Sequence, residues 1–196
     1  REIVPKAVDE YLDFIEKGKN QNELQKLMNP VWHVHNGEIP EETSIMSFSM
    51  LLNLVETSNA DTKELLWKFV KKYKQDIIET NQPIFDNLIE YAIKYFNDVI
   101  KSKKVYKTPN LNEKSALEAL IEALGKCNDK MQPEEIQTII YSVGKENGYE
   151  ENLRDWFKLI YEVVFGDENG PRMGFFISFF GVKETKELIE KKLRDV

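Results

Sequence analysis

WFKLIYEVVFGDENGPRMGFFISFFG, residues 156–181, joins two aromatic-rich segments through a turn that carries glycine and proline. Trp156, Phe157, Ile160, Tyr161, Val164 and Phe165 recur at the spacing of one helix face. Gly166 suits the position just past that helix, where a left-handed backbone costs little. Pro171 can open the next helix, because its missing N–H would have no partner there anyway. Two helices packed through aromatic faces therefore dominate the end of the chain.

Outward from this stretch the helical pattern continues, with no strict alternation and no hairpin signal between β-branched runs. The expected fold is all-α and multihelical. Between Pro5 and Gly18, Val8, Tyr11, Leu12 and Ile15 form one stripe, and a short segment from Leu24 to Met28 precedes Asn29-Pro30. Asn29 to Glu42, with two prolines and Asn36-Gly37, is expected to be an ordered loop. Helical spacing resumes at Phe48, Leu51, Leu52 and Val55. Asp61, three residues before Glu64, predicts an N-cap for a helix bearing Leu65, Leu66, Phe69 and Val70. From Pro83 a long helix should run to about Lys101, with Leu88, Tyr91, Ala92, Tyr95, Phe96 and Val99 on one face. Leu117 to Leu124, a helix opened by Pro133, and a last helix from about Lys183 complete the set. The basic stretch Lys101 to Asn112, broken by Pro109, is expected to be a hinge. It divides the chain into two all-α subdomains, 1–105 and 106–196, the second a compact α-helix cage.

The 196 residues and 41% hydrophobic content suffice for a packed core. Cys127 stands alone, so no internal disulfide can form, which fits a cytoplasmic location. No run reaches the roughly 18 apolar residues of a membrane span. The opening Arg1-Glu2-Ile3-Val4-Pro5 has neither a signal peptide nor an initiator Met, and the chain is expected to be a piece of a longer protein. Twenty-seven basic and 34 acidic residues give a net charge of −7, which argues against indiscriminate polyanion binding. Two basic islands nevertheless stand out, Lys63 to Lys74 and Lys94 to Lys107, each with five lysines. They read either as tracks for a phosphate backbone or as solvated helix faces.

Constellations for catalysis are missing. The nine glycines match neither a P-loop nor a dinucleotide fingerprint. His33 and His35 have no further cluster to complete a metal site, and reading them as pins that hold the loop to neighbouring helices accounts for them better. Glu134 and Glu135 fit the first turn of a helix, where the dipole favours them. Cys127 has no local base. No catalytic residue, metal ligand or cofactor is assigned to this chain.

Several segments carry a family likeness: PKAVDEYL at Pro5 to Leu12, NPVWHVHNG at Asn29 to Gly37, SFSMLLNLVETSNADTKELLWKFV at Ser47 to Val70, EEIQTIIYSVGKE at Glu134 to Glu146, and the Gly170 to Gly174 box. Together they resemble class I lysyl-tRNA synthetases over nearly the whole chain. The box alone is also similar to the end of glutamyl-tRNA synthetases, and the Trp-His loop and Ser-Asn-Ala turn decide for lysine. The resemblance implies a parent enzyme that joins lysine to lysine tRNA with ATP and Mg. The His-Ile-Gly-His-like and Lys-Met-Ser-Lys-Ser-like motifs of its catalytic domain do not occur here. It also implies that this piece recognises the anticodon loop beside a missing catalytic domain, with neither DNA nor membrane as a partner.

An anticodon is single-stranded, so its bases can stack on rings or Arg planes while cations hold the backbone. Arg172, Trp156, Tyr161, Phe175 and Phe176 are the candidates at the turn, and Lys103 and Lys104 at the hinge. The competing reading of each aromatic is core packing, and that of Arg172 is capping of nearby carbonyls. Two rival functions remain open at this point. One is a helical module that docks a partner peptide or helix; the other is a small enzyme using His33 and His35. Entry of the anticodon loop near the hinge predicts that charge reversal at Lys103 and Lys104 lowers affinity and flattens its salt dependence.

Overall fold

The ends of the helices are written in the caps. In the computed structural model, which describes residues 3–77 and 79–194, the helices are α1 Ile3–Gly18, α2 Glu23–Met28, α3 Pro30–Val34, α4 Phe48–Ser58, α5 Lys63–Tyr73, α6 Pro83–Tyr95, α7 Leu111–Gly125, α8 Pro133–Gly144, α9 Leu153–Val164, α10 Met173–Phe180 and α11 Val182–Arg194. No strand occurs among the described residues, so the all-α expectation is borne out. Asn22 and Asn110 each close a capping box with the side chain three residues on, Gln25 and Glu113, and the Ser47 hydroxyl accepts from Met50 N at 3.0 Å. Pro83 and Pro133 open α6 and α8 as their missing N–H groups allow.

Three sequence expectations need correction. The cap of α5 is Thr62, whose hydroxyl accepts from Leu65 N, rather than Asp61. The stretch from Asn29 to Glu42 is not loop throughout. Asn29 accepts from Val31 N and Pro30 follows, so a turn of helix, α3, forms inside it. Tyr91 lies outside the buried face of α6, which is carried by Phe85, Ile89 and Ala92 and continued by Phe96 in the π turn Phe96–Ile100. That turn slips the register, and a 3-10 turn, Lys101–Lys103, ends the segment.

One hydrophobic cluster runs from Ile45 to Leu193. At its centre is α10, whose residues Met173, Gly174, Phe176, Ile177, Phe179 and Phe180 are buried. One side of α10 lies against α8 and the other reaches α4 and α5. Phe180 meets Phe69 at 5.6 Å between ring centroids, and Tyr73 meets Phe179 at 4.3 Å. The approach to α8 is backbone to backbone. A Cβ on Gly174 would come within 2.1 Å of the Pro133 carbonyl oxygen, so no larger residue fits. Gly174 N donates to the buried Gln137 Oε1 at 2.7 Å, which satisfies both polar groups.

Two carboxylates fasten the first helices. Asp9 on α1 accepts from Phe48 N at 2.5 Å and from Ser49 N at 3.2 Å, placing a negative charge at the N-terminus of α4. Asp86 on α6 accepts from Lys63 Nζ at 2.7 Å and from the Trp67 indole at 3.0 Å, which ties α6 to α5. The Lys63 hydrogen bond, with help from Trp67, holds the Asp86 carboxyl below the usual carboxylate range.

Gly174→Ala should separate α8 from α10 and cost about 1–3 kcal/mol, read as a lower midpoint in urea. Because the folded pKa of Asp86 is depressed, its stabilisation is present above the unfolded value of about 4 and is lost as pH falls through the folded one. Asp86→Asn should therefore flatten the acid limb of stability against pH, measured by urea titrations between neutrality and pH 3.

Candidate functional site

The turn between α9 and α10 is built so that its outer edge faces an open groove. Gly166 follows α9 with φ +57°, in the left-handed region expected for it. Asp167 Oδ1 accepts from Asn169 N at 3.2 Å, which closes the turn on itself. From below, the Tyr161 hydroxyl donates to the Pro171 carbonyl at 3.0 Å. Burial pushes the Tyr161 phenol up to about 12, so it stays a neutral donor at physiological pH. Pro171 is thereby fixed and Arg172 stands at the N-cap of α10, exposed to solvent.

The groove, about 920 Å³, lies between this turn, α1, α4 and the π turn Phe96–Ile100. It draws on both halves of the chain. Arg172 and Phe175 enter from the first turn of α10, Lys6, Asp9, Glu10 and Asp13 from α1, and Ser49, Asn53 and Glu56 from α4. Ser47, Lys104, Asp167 and Asn169 complete its polar lining. Five carboxylates face three cations, so the floor does not attract a phosphate backbone. It can accept hydrogen bonds from the amino and imino groups of base edges, while Lys6 and Arg172 supply positive charge.

The structure separates the sequence candidates. Arg172 and Phe175 come together in the groove, and the half-buried Phe175 ring is seated edge-on against Phe179 at 5.0 Å. Trp156 and Phe176 are corrected to core residues. Both are 0% exposed, and the Trp156 indole donates to the Ile140 carbonyl at 2.9 Å, so neither has a face to offer a base. Tyr161 holds the turn from beneath, packed between Phe157 and Phe165. Lys103 is exposed on the 3-10 turn and does not line the groove.

Lys104 is spent on structure. Its side chain is 12% exposed and pairs at 2.9 Å with Glu56, itself 6% exposed, and it donates to the Phe165 carbonyl at 2.6 Å. The Tyr106 hydroxyl donates to the same carboxylate at 2.6 Å, and Lys192 Nζ lies 3.1 Å from the centre of the Tyr106 ring. This network ties the basic segment to α4, α9 and α11. Reversing the charge of Lys104 would therefore test folding before it tested any ligand. The histidines are pins, as their alternative reading had it: His35 Nε2 meets the Tyr11 hydroxyl at 2.9 Å and His33 Nε2 meets the Leu27 carbonyl at 3.1 Å. No group of three or more His, Cys, Asp or Glu among the described residues could hold a metal ion.

Lys6, Asp9, Glu10 and Asp13 were not among the sequence candidates. A signal existed: they recur at i, i+3, i+4 and i+7, the polar face of α1 opposite its apolar stripe. What their spacing could not give is the element across the groove.

Comparison with known proteins matches this chain to lysine–tRNA ligases. The Rickettsia bellii (strain OSU 85-389) ligase is 39% identical over 194 residues, the Rickettsia felis ligase 40% over 194, and the Roseobacter denitrificans ligase 41% over 192. Each match takes in 98% of this chain. The chain is homologous to lysine–tRNA ligases. It spans about 37% of the length of those relatives. No family model matches it and no solved structure does. The resemblance carried by the Trp-His loop and the Ser-Asn-Ala turn thus holds for the lysine–tRNA ligase family. Among the described residues no helix is long and apolar enough to cross a membrane.

Lys104→Met should leave Glu56 without its cation and cost about 3–5 kcal/mol of stability. Arg172→Ala, at an exposed side chain, should stay within about 0.5 kcal/mol of the parent chain. Thermal denaturation of the two variants side by side checks both.

Proposed function

We propose that this chain is the anticodon-binding C-terminal helical region of a class I lysine–tRNA ligase. The parent enzyme joins lysine to lysine tRNA at the expense of ATP, with Mg, in a catalytic portion outside this chain. In this proposal 1–105 is the helical subdomain that follows the catalytic portion and 106–196 the cage that presents the Gly170 to Gly174 box. The chain itself performs no chemistry. Its partners are the anticodon loop and the catalytic portion, in the cytoplasm.

The groove at Arg172 and Phe175 is the observation that carries this reading. Splayed bases need a platform, a cation that can stack or grip phosphate, and acceptors for their edges. Phe175 offers the ring, Arg172 the guanidinium, and Glu10, Asn53 and Asn169 the hydrogen-bonding groups. The mixed charge of the lining favours discrimination over raw affinity. A wrong base would strand a buried polar group, and each stacked base contributes about 1–3 kcal/mol.

The test is binding of the chain to lysine tRNA and to the same tRNA with altered anticodon bases, across a salt series. Arg172→Ala should weaken binding of lysine tRNA about tenfold and reduce the salt slope by about 1. Phe175→Ala should weaken it by a similar factor with the slope unchanged. Equal affinity for both tRNAs, or indifference to both substitutions, would remove the anticodon assignment. Salt-independent binding of a peptide or helix in place of RNA would favour a protein-interaction module.

A further inference from the structure

Of the twelve large apolar side chains exposed among the described residues, seven lie within the first 34 positions: Ile3, Val4, Phe14, Leu24, Leu27, Met28 and Val34. The densest part is on α2. Leu24, Leu27 and Met28 stand at i, i+3 and i+4, one face of the helix, and are 74%, 66% and 84% exposed, with Val34 of α3 at 69%. No residue of α2 is buried. The helix contributes nothing to the core of its own chain.

It is nevertheless held firmly. Asn29 joins α2 to α3, its amide donating to the Phe14 carbonyl at 3.0 Å and to Gln21 Oε1 at 2.9 Å while its oxygen accepts from Val31 N. The Lys26 ammonium sits 4.7 Å from the centre of the Trp32 ring, and His33 meets the Leu27 carbonyl. A fixed elbow that turns an apolar stripe to solvent has the form of an interface half. The relatives supply the occupant, because about three fifths of their length lies outside the region this chain matches.

We propose that the α2–α3 elbow is the docking face for the remaining portion of the lysine–tRNA ligase, with Leu24, Leu27 and Met28 as its anchors. This rests on the ligase assignment above. The elbow belongs to α1 to α3, whose Leu12, Ile15 and Val31 stand apart from the main core, so docking here leaves the groove's turn free to meet RNA.

Hydrogen exchange of residues 23–34 tests it, compared between the isolated 196-residue chain and the full-length ligase polypeptide that carries it. Exchange should be at least tenfold slower in the full-length protein. Leu27→Glu, at an exposed position, should restore the fast rate there while leaving the circular dichroism of the isolated chain unchanged. Equal exchange in both proteins, in a full-length sample that shows lysine-dependent exchange of pyrophosphate into ATP, overturns the docking face and leaves the ligase assignment intact. Absence of that lysine-dependent reaction counts against the ligase assignment, and the exchange comparison still decides the docking face. Protection that grows with concentration of the isolated chain would mean that a second copy covers the elbow, and would overturn the proposal.

Discussion

At Gly174 the backbone of α10 comes against the Pro133 carbonyl on α8, closer than any side chain could allow, and α4, α5 and α11 pack on the helix so placed. With α8 this near, an apolar helix of eight residues can be enclosed, its far side left for Phe69 and Tyr73 of α5. Gln137 completes the arrangement by taking the Gly174 amide, so that N–H is buried with a partner. Arg172, two residues earlier, is then delivered to the surface at a fixed place. The same residue run that closes the core thus opens the groove.

A second constraint sets the other wall. The buried Glu56 carboxylate must be matched, and Lys104 and Tyr106 match it, which draws the segment after the π turn against α4 and α9. The Lys107 amide donates to the Glu162 carbonyl at 3.1 Å and extends the same attachment. A stretch that looks like a basic hinge by composition is fastened at three places, with Lys104 turned inward while Lys101 and Lys103 stay exposed.

Much of the fold was legible because helices announce themselves through spacing and caps. Pro83, Pro133 and Gly166 sit where their chemistry requires, and the apolar stripe of α4 is its buried face, whereas α9 buries Leu159 and Val163 in place of Phe157 and Tyr161. The turn of α3 was hidden by the prolines around it, although Asn29-Pro30 is itself a cap followed by a first helical residue. Register across the π turn could not be read, since an extra residue per turn moves every side chain after it. For the site, Arg172 and Phe175 were legible because a turn flanked by glycine exposes what lies in it. Trp156 and Phe176 share the same composition and spacing but face inward, a distinction set by which side α8 approaches. Lys104 could not be separated from Lys103 in sequence, because its partner Glu56 lies on a different helix.

The place of α10 in the chain bears on how the protein is made. Its rings complete the packing of α5, yet they leave the ribosome about a hundred residues after Tyr73. At roughly 5–20 residues per second, the early helices wait on the order of 5–20 s for the segment that covers them. During that interval Phe69 and Tyr73 lack the rings that cover them, and the nascent chain exposes apolar surface of the kind that chaperones cover.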